Sequence, residues 1–427
     1  MGLGHDAAFL SAAIVSSPLW GYRLWRTGKW RTDWPGRFGR CAPVDRDDRP
    51  TALLHAVSVG EVNAIRTLVD QLQREADWRI VISTTTNTGW ARAQTLFEPA
   101  HRVVRYPLDL SGWVNRFLDA LRPDLVGLVE LELWPNFAES CRRRDVPLCI
   151  LNGRLSETSH KRYHLARPLV RRMFASLSAV AAQNQTYADR FADLGVPADR
   201  VHVLDTMKWD TAQIVDHVPG AQALAEALGT DPDRPLIVAG STAPGEDELL
   251  ISTCPKDAQL LLAPRKPEWF DRVARLEPGV VRRSRHPDGT TRARDGGRLF
   301  LLDTIGDLTK AYSLADVAIV GRSFVDLGGS DMMEPAALGK ATISGPHHRN
   351  FAATVEAMVK GGGLLVTDHP GPAAAELLAD RSRAEELARR GRQVIREHQG
   401  ATGRHVAMLT KLMKGGEKLL MHTDAHR

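Results

Sequence analysis

Two acidic motifs carry groups suited to moving a proton. In HAVSVGEV (residues 55–62) a strand-like run ends in a Ser-Val-Gly turn, and Glu61 stands in the first turn of the helix that follows. The helix dipole favours a carboxylate there, which is a sufficient structural reason for it. Gly60 also lets a substrate approach the backbone closely, so the same carboxylate has the reach a general base needs. In VELELWPN (129–136) Glu130 and Glu132 alternate with apolar residues at the end of a strand that reads as buried. Two carboxylates on one face of such a strand cost free energy unless they are partnered or used. A solvent-facing strand end and a functional pair both satisfy that pattern.

Four further loops lie in the second half: GSTAPGED (240–247), APRKPEWF (263–270), DTIGDL (303–308) and GGSDMMEPAALGK (328–340). Each puts small, acidic or basic residues, Arg265 and Lys266 among them, where a strand gives way to a helix. Helix N-termini approached by glycine offer N–H groups to phosphate, and an acid such as Glu334 can accept hydrogen bonds from ribose hydroxyls. Each loop alone is ordinary turn chemistry; together they point to a nucleotide. No Walker lysine loop and no G-x-G-x-x-G fingerprint follows a strand, which argues against an NTPase and a dinucleotide oxidoreductase. A nucleotide-sugar transferase remains. The four cysteines, Cys41, Cys141, Cys149 and Cys254, fall at no metal-ligand or redox spacing, and no metal site is expected.

The elements that must position these loops alternate. From Thr51, short β-type runs (TALLHAVS, RIVIST, RVVRYP, DLVGLVEL, PLCILNG, AVAAQN, VHVLD) are separated by amphipathic helices, one of them a long helix around 160–177. A second alternating block starts at PLIVAGS. This pattern implies parallel strands with right-handed crossovers. The expected fold is α/β, with two doubly wound, Rossmann-like domains facing each other across a cleft and ligands beyond the carboxyl ends of the strands. The expected boundaries are a membrane-proximal segment at 1–45, a first domain at 46–212, a linker at 213–234 and a second domain at 235–427 that includes the C-terminal helices.

With 427 residues, 43% hydrophobic and 25% charged, the chain is neither disordered nor a polytopic membrane protein. Its charge of +5 is unevenly placed. Arg23, Arg26, Lys29, Arg31, Arg37 and Arg40 face a single acid, Asp33, and interleave with Trp20, Trp25, Trp30 and Trp34 after a largely apolar stretch. That composition suits a lipid headgroup boundary; a core helix followed by a solvated basic linker is the alternative.

These motifs, in this order, resemble the Kdo transferases, which attach 3-deoxy-D-manno-octulosonic acid to a lipid A precursor. The likeness runs from SPLWGYRLWRTGKWRTDWPGRFGR through HAVSVGEV, STTTNTGW, RYPLDL, VELELWPN, NGRLSETS and LDTMKWD to GGSDMMEPAALGK and GPHHRNF. The resemblance implies a GT-B fold, inverting transfer and no required metal or other cofactor, with CMP-Kdo as donor substrate. It implies Glu61 as general base, with Glu130 and Lys208 stabilising the transition state. It implies that Pro264, Arg265, Ile305, Gly306, Asp307, Asp331, Met332, Met333 and Glu334 hold CMP, Arg265 facing phosphate and Glu334 the ribose. The implied partners are a CMP-sugar, a phosphorylated lipid A precursor and the cytoplasmic face of the bacterial inner membrane, with no nucleic acid. The chain departs from the family pattern at Ala243, Lys266 and Ser330, where the family has His. It also departs at Asp331 (Asn), Asp307 (Glu) and Trp269 (Arg). A GT-B transferase using another nucleotide sugar and an inactive membrane-bound member are the rival readings.

Overall fold

The computed structural model describes Asp6 and residues 32–45, 47–287 and 297–423, with 416–423 as backbone alone. Most of the basic tryptophan-rich segment therefore lies outside the described residues. Its end is α1 (Trp34–Arg37), whose Arg37 guanidinium donates to the carbonyls of Tyr106 at 3.0 Å and Thr85 at 2.9 Å. That stretch is packed onto the first domain rather than forming a solvated linker.

The chain divides into two compact units, 1–211 with 400–427, and 212–399. The first unit opens with β1 (Thr51–His55), α2 (Val59–Ala64), α3 (Arg66–Ala76), β2 (Arg79–Thr84), α4 (Asn87–Phe97) and β3 (Arg102–Arg105). It continues with α5 (Ser111–Leu121), β4 (Leu125–Val129), α6 (Pro135–Arg143), β5 (Leu148–Gly153), α7 (Glu157–Leu165) and α8 (Arg167–Ala175). β6 (Ala179–Ala182), α9 (Gln185–Asp193), β7 (Val201–Val203) and a 3₁₀ turn at Met207–Thr211 complete that stretch. The strands form one parallel sheet in the order β3-β2-β1-β4-β5-β6-β7. Both faces are covered, which is why its strands read as unbroken apolar runs. Leu53, Val126 and Leu128 belong to one core, and Ala52, Leu54, Leu125 and Val129 to the other.

The second unit begins with α10 (Ala221–Leu228), β8 (Leu236–Thr242), α11 (Glu246–Thr253), β9 (Gln259–Pro264), α12 (Phe270–Ala274), β10 (Val281–Arg282) and β11 (Leu299–Leu301). α13 (Leu308–Leu314), β12 (Val317–Val320), α14 (Met333–Ala337), β13 (Ala341–Ser344), α15 (Ala352–Lys360) and β14 (Leu365–Val366) follow, then α16 (Pro370–Ala379) and α17 (Arg381–His398). Its parallel sheet has the order β10-β11-β9-β8-β12-β13-β14. The last helix, α18 (Ala401–Thr423), returns to the first unit.

Three expectations need correction. The C-terminal helices do not all belong to the second domain, because α18 docks on the first. Ala401, Val406, Leu409 and Met413 join the core that holds Leu68, Val69 and Leu72 of α3. The Asp210 carboxylate accepts from Gly400 N–H at 2.7 Å and Thr402 N–H at 2.5 Å, capping the incoming helix. The expected linker at 213–234 is instead the opening of the second unit, with Leu224 and Leu228 in its core and Val215 and Val218 against it. The long helix expected around 160–177 is two helices meeting at Ala166, because Pro168 cannot supply the N–H a continuous helix needs there.

Candidate functional site

Both sheets reverse their strand order at a central pair, β1 and β4 in the first, β8 and β12 in the second. Ligands of such sheets bind beyond the carboxyl ends of the strands at that reversal. In the first unit the β1 and β4 loops lead to Glu61 and Glu130.

Ser58 caps α2 in extended conformation and Glu61 occupies its third position. The Glu61 carboxylate turns back to accept from Val57 N–H at 2.8 Å and from the Ser58 hydroxyl at 2.8 Å, a variant of the capping box. Two donors thus fix the direction of the carboxylate. Burial raises its pKa above the ordinary glutamate value, and the charges of Glu130 and Glu132 push the same way. The two donors pull against them.

Glu130 follows β4 with φ of 59°, the left-handed region a glutamate rarely adopts. Its N–H still donates to Leu151 O at 2.9 Å, so the ladder to β5 continues while the side chain is redirected. Lys208, on the 3₁₀ turn, brings Nζ to 4.0 Å from the Glu130 carboxylate. Glu132, raised in pKa mainly by burial, accepts from the Trp134 indole at 3.2 Å. Glu61, Glu130 and Glu132 line one open pocket of about 340 Å³ together with Arg154, Ser156, Ser159 and Tyr163. Two of the three catalytic candidates, Glu61 and Glu130, thus share one pocket, and Lys208 joins them only through its 4.0 Å approach to Glu130. Sequence reasoning did not single out Arg154 and Tyr163; the visible signal was a cation directly after a strand, in NGR. Positive φ recurs where strands end in both units. Glu130, Asn152 and Asp205 in this unit, and Ser241 and Arg322 in the other, have positive φ at or just past the carboxyl ends of strands.

In the second unit the reversal point is held by Glu246, fully buried. Its carboxylate accepts from Ala243, Arg322, Ser323 and Phe324 N–H at 2.6 to 2.9 Å, joining the loops after β8 and β12. Gly321 is needed beside it, since a Cβ there would lie 2.6 Å from the Thr242 backbone. Pro264 ends β9, and Arg265 is exposed with its N–H on Thr242 O at 2.9 Å. Ile305 is 79% exposed and Gly306 has φ of 99°. Burial alone would raise the Asp307 pKa, but Lys310 at 2.8 Å and Thr304 at 2.7 Å hold the carboxyl below its usual range. Glu334 accepts from the Thr309 hydroxyl, which ties the 331–334 loop to the 305–307 loop through α13. Met332 and Met333 differ from the rest of this set. Both side chains are buried in the core, so they can offer a ligand only backbone atoms. Lys266 pairs with Glu268 at 3.1 Å and lies 5.0 Å over the Trp269 ring, while Ala243 is fully buried. Among the described residues the buried Ser330 hydroxyl finds no hydrogen-bond partner.

Among the described residues, one group has metal-ligand chemistry: His160, His164 and Asp193, whose ligand atoms lie within 4.8 Å of one another. In this structure they bond to each other, both imidazoles reaching one oxygen of Asp193 at 2.8 and 3.0 Å and fastening α7 to α9. Among the described residues no helix is long and apolar enough to cross a membrane.

The family described as 3-deoxy-D-manno-octulosonic-acid transferase (kdotransferase) matches residues 32–211. A 3-deoxy-D-manno-octulosonic acid transferase of Haemophilus influenzae is 32% identical over 83% of this chain and 86% of its own length. One from Bordetella pertussis is 32% identical over 95% of this chain and 98% of its own. Among solved structures, MurG of Acinetobacter baumannii superimposes with a TM-score of 0.54 at 14% identity, covering 85% of this chain and 99% of that one. Anabaena HepE in complex with UDP gives 0.56 at 15%, over 85% and 99%. These structures share the two-sheet fold of the GT-B glycosyltransferases with this chain.

Proposed function

The chain belongs to the 3-deoxy-D-manno-octulosonic acid transferase family, and from that premise we propose that it moves Kdo from CMP-Kdo to a hydroxyl of a phosphorylated lipid A precursor, with inversion, in lipopolysaccharide synthesis. The observation that carries the reading is the Glu61 carboxylate, aimed by two donors into a pocket at the reversal of the sheet and raised in pKa by burial. A base of that kind accepts the acceptor's proton as the hydroxyl oxygen bonds to the anomeric carbon of Kdo. The bond from that carbon to the phosphate breaks as the new one forms, and its electron pair leaves with CMP.

Lys208 offsets negative charge on the Kdo carboxylate or the departing phosphate, and Glu130 holds the ammonium in place. In the second unit Arg265 meets phosphate, Glu334 the ribose, and the 305–307 loop the base. This chemistry draws on no metal. The work takes place at the cytoplasmic face of the inner membrane, where the acceptor lies.

The departures at Ala243, Ser330 and Asp331 favour a second reading, a donor other than CMP-Kdo. Asp331 adds negative charge to a loop that would meet an anionic donor. One assay separates the two readings: purified protein in detergent with CMP-Kdo and the tetraacylated precursor, products weighed by mass spectrometry. Mass increments of Kdo support the first reading. Absence of product from folded protein, with UDP competing for binding better than CMP, supports the second.

A further inference from the structure

We propose that His160, His164 and Asp193 form a binding site for a first-row transition-metal dication, Zn²⁺ foremost, which clasps α7 to α9 beside the Glu61 pocket. The ion takes no part in the transfer proposed above, and the evidence for its site is independent of that reading.

The donors come from two helices. His160 and His164 are four residues apart on α7, about one turn, so both imidazoles leave the same face. Asp193 is the last residue of α9, and its Oδ2 meets both rings, His160 Nε2 at 2.8 Å and His164 Nδ1 at 3.0 Å. Two imidazoles and a carboxylate are ligand types that suit Zn²⁺ and its transition-metal neighbours, whereas Mg²⁺ and Ca²⁺ call for oxygen. The distances agree. Tetrahedral Zn²⁺ at about 2.0–2.1 Å from each donor holds the donors roughly 3.3 Å apart. Here the two nitrogens lie 2.8 and 3.0 Å from the carboxylate oxygen, and all three atoms fall within 4.8 Å of one another. Small side-chain rotations suffice to admit the ion.

The protons balance as well. A carboxylate only accepts, so in the hydrogen-bonded state each neutral ring donates the N–H that faces Oδ2. On binding, that same nitrogen gives its lone pair to the metal and the ring proton is carried by the other nitrogen. The His164 side chain is 51% exposed and that of Asp193 38%, so the ion, and a water as fourth ligand, can enter from solvent. Arg167 competes for Asp193, but at the other oxygen: its Nη1 lies 3.8 Å from Oδ1. The Lys161 ammonium between the two histidines in sequence is paired with Glu157 at 2.5 Å.

The position of the site gives the ion a consequence. α7 buries no residue in the core, so bonds at its surface weigh heavily in holding it. Ser159 and Tyr163, each next in sequence to a histidine of the site, line the pocket that holds Glu61. An ion that locks α7 to α9 therefore fixes that wall of the pocket.

The test is calorimetric titration of the full, tag-free chain with Zn²⁺ and, separately, with Mg²⁺. Wild type would be compared with His160→Ala/His164→Ala and with Asp193→Asn, each first checked by circular dichroism. Asp193→Asn keeps the size of the side chain and an oxygen for the rings, so it stays readable should the histidine pair fail to fold. Hydrogen exchange of the α7 amides is then followed with and without Zn²⁺. We expect one Zn²⁺ per wild-type chain, far weaker binding of Mg²⁺, and a loss of about tenfold or more in Zn²⁺ affinity in each folded variant. Zn²⁺ should slow exchange across residues 157–165 in wild type and not in the variants. Zn²⁺ bound equally by wild type and Asp193→Asn would overturn the proposal. So would Mg²⁺ bound as tightly as Zn²⁺, or α7 amides whose exchange Zn²⁺ leaves unchanged in wild type.

Discussion

Ser58 has two duties that can be measured separately. Its oxygen caps α2 by accepting from Glu61 N–H at 3.4 Å, and its hydroxyl donates to the Glu61 carboxylate at 2.8 Å. In Ser58→Ala both are lost. The cap bond is long, so its loss falls at the low end of cap deletions, about 0.5–1 kcal/mol in stability. The second bond acts on titration. A hydrogen bond to a charged group contributes about 1.5–3 kcal/mol, and one pKa unit corresponds to about 1.4 kcal/mol. The bond stabilises the ionised carboxylate, so its removal raises a pKa that burial has already lifted. A carboxylate general base acts only when ionised. The acid limb of kcat/KM, which reports the free enzyme, should therefore move about 1–2 units toward higher pH, with activity largely retained above it. Glu132→Gln should move the limb the other way, because it removes a negative charge that raises the Glu61 pKa. The assay is the pH profile of transfer by both variants beside wild type. A limb that stays in place in Ser58→Ala, or moves toward acid, would refute the reasoning that Glu61 is the titrating base.

Three other predictions concern the scaffold around the two sites. The buried Asp109 carboxylate accepts from Asn136 N–H at 3.0 Å and Phe137 N–H at 2.9 Å, capping α6 after the Glu130 loop. Asp109→Ala should cost about 2–4 kcal/mol, read as a fall in the urea midpoint, with transfer weakened in whatever remains folded. Glu246→Ala strands four N–H groups, those of Ala243 and Ser323 buried and those of Arg322 and Phe324 partly buried, and should cost about 3 kcal/mol. Its nucleotide binding should fall more than its acceptor binding in calorimetry. Burial lowers the pKa of His405 to about 4, while the unfolded chain binds that proton near 6.5. The stabilising contribution is therefore complete above about pH 6.5 and is lost as pH falls toward 4, at roughly 1.4 kcal/mol per pH unit. In thermal melts His405→Gln should be less stable than wild type at neutral pH, with the gap narrowing in acid.

The apolar strands were legible because a parallel sheet covered on both faces leaves no polar alternation, as in TALLH and LVGLV. Glu61 was legible for a related reason: a carboxylate in the first turn after such a strand stands where these sheets bind ligands. The spacing from Ser58 to Glu61 also marks the local bonds that fix it. The place of Lys208 was not legible from physical pattern. It reaches Glu130 only because the chain after β7 crosses back over the sheet, and only the family resemblance pointed to it. Nor does chain order reveal the docking of α18. Its apolar stripe of Val406, Leu409 and Met413 would suit either unit, and the choice is made by long-range bonds such as Asn152 N–H to His405 at 3.0 Å. Met332 and Met333 show the reverse case, in which a motif position counted as ligand-binding has its side chain in the core.

In the proposed reaction Glu61 is the base for transfer of Kdo to a lipid hydroxyl. Its most direct test is the turnover of Glu61→Gln with saturating CMP-Kdo and lipid A precursor, with CMP binding measured on the same sample. Turnover should fall about 100-fold or more, with CMP affinity and fold preserved. A Glu61→Gln protein that binds CMP and still transfers Kdo at the wild-type rate would contradict it.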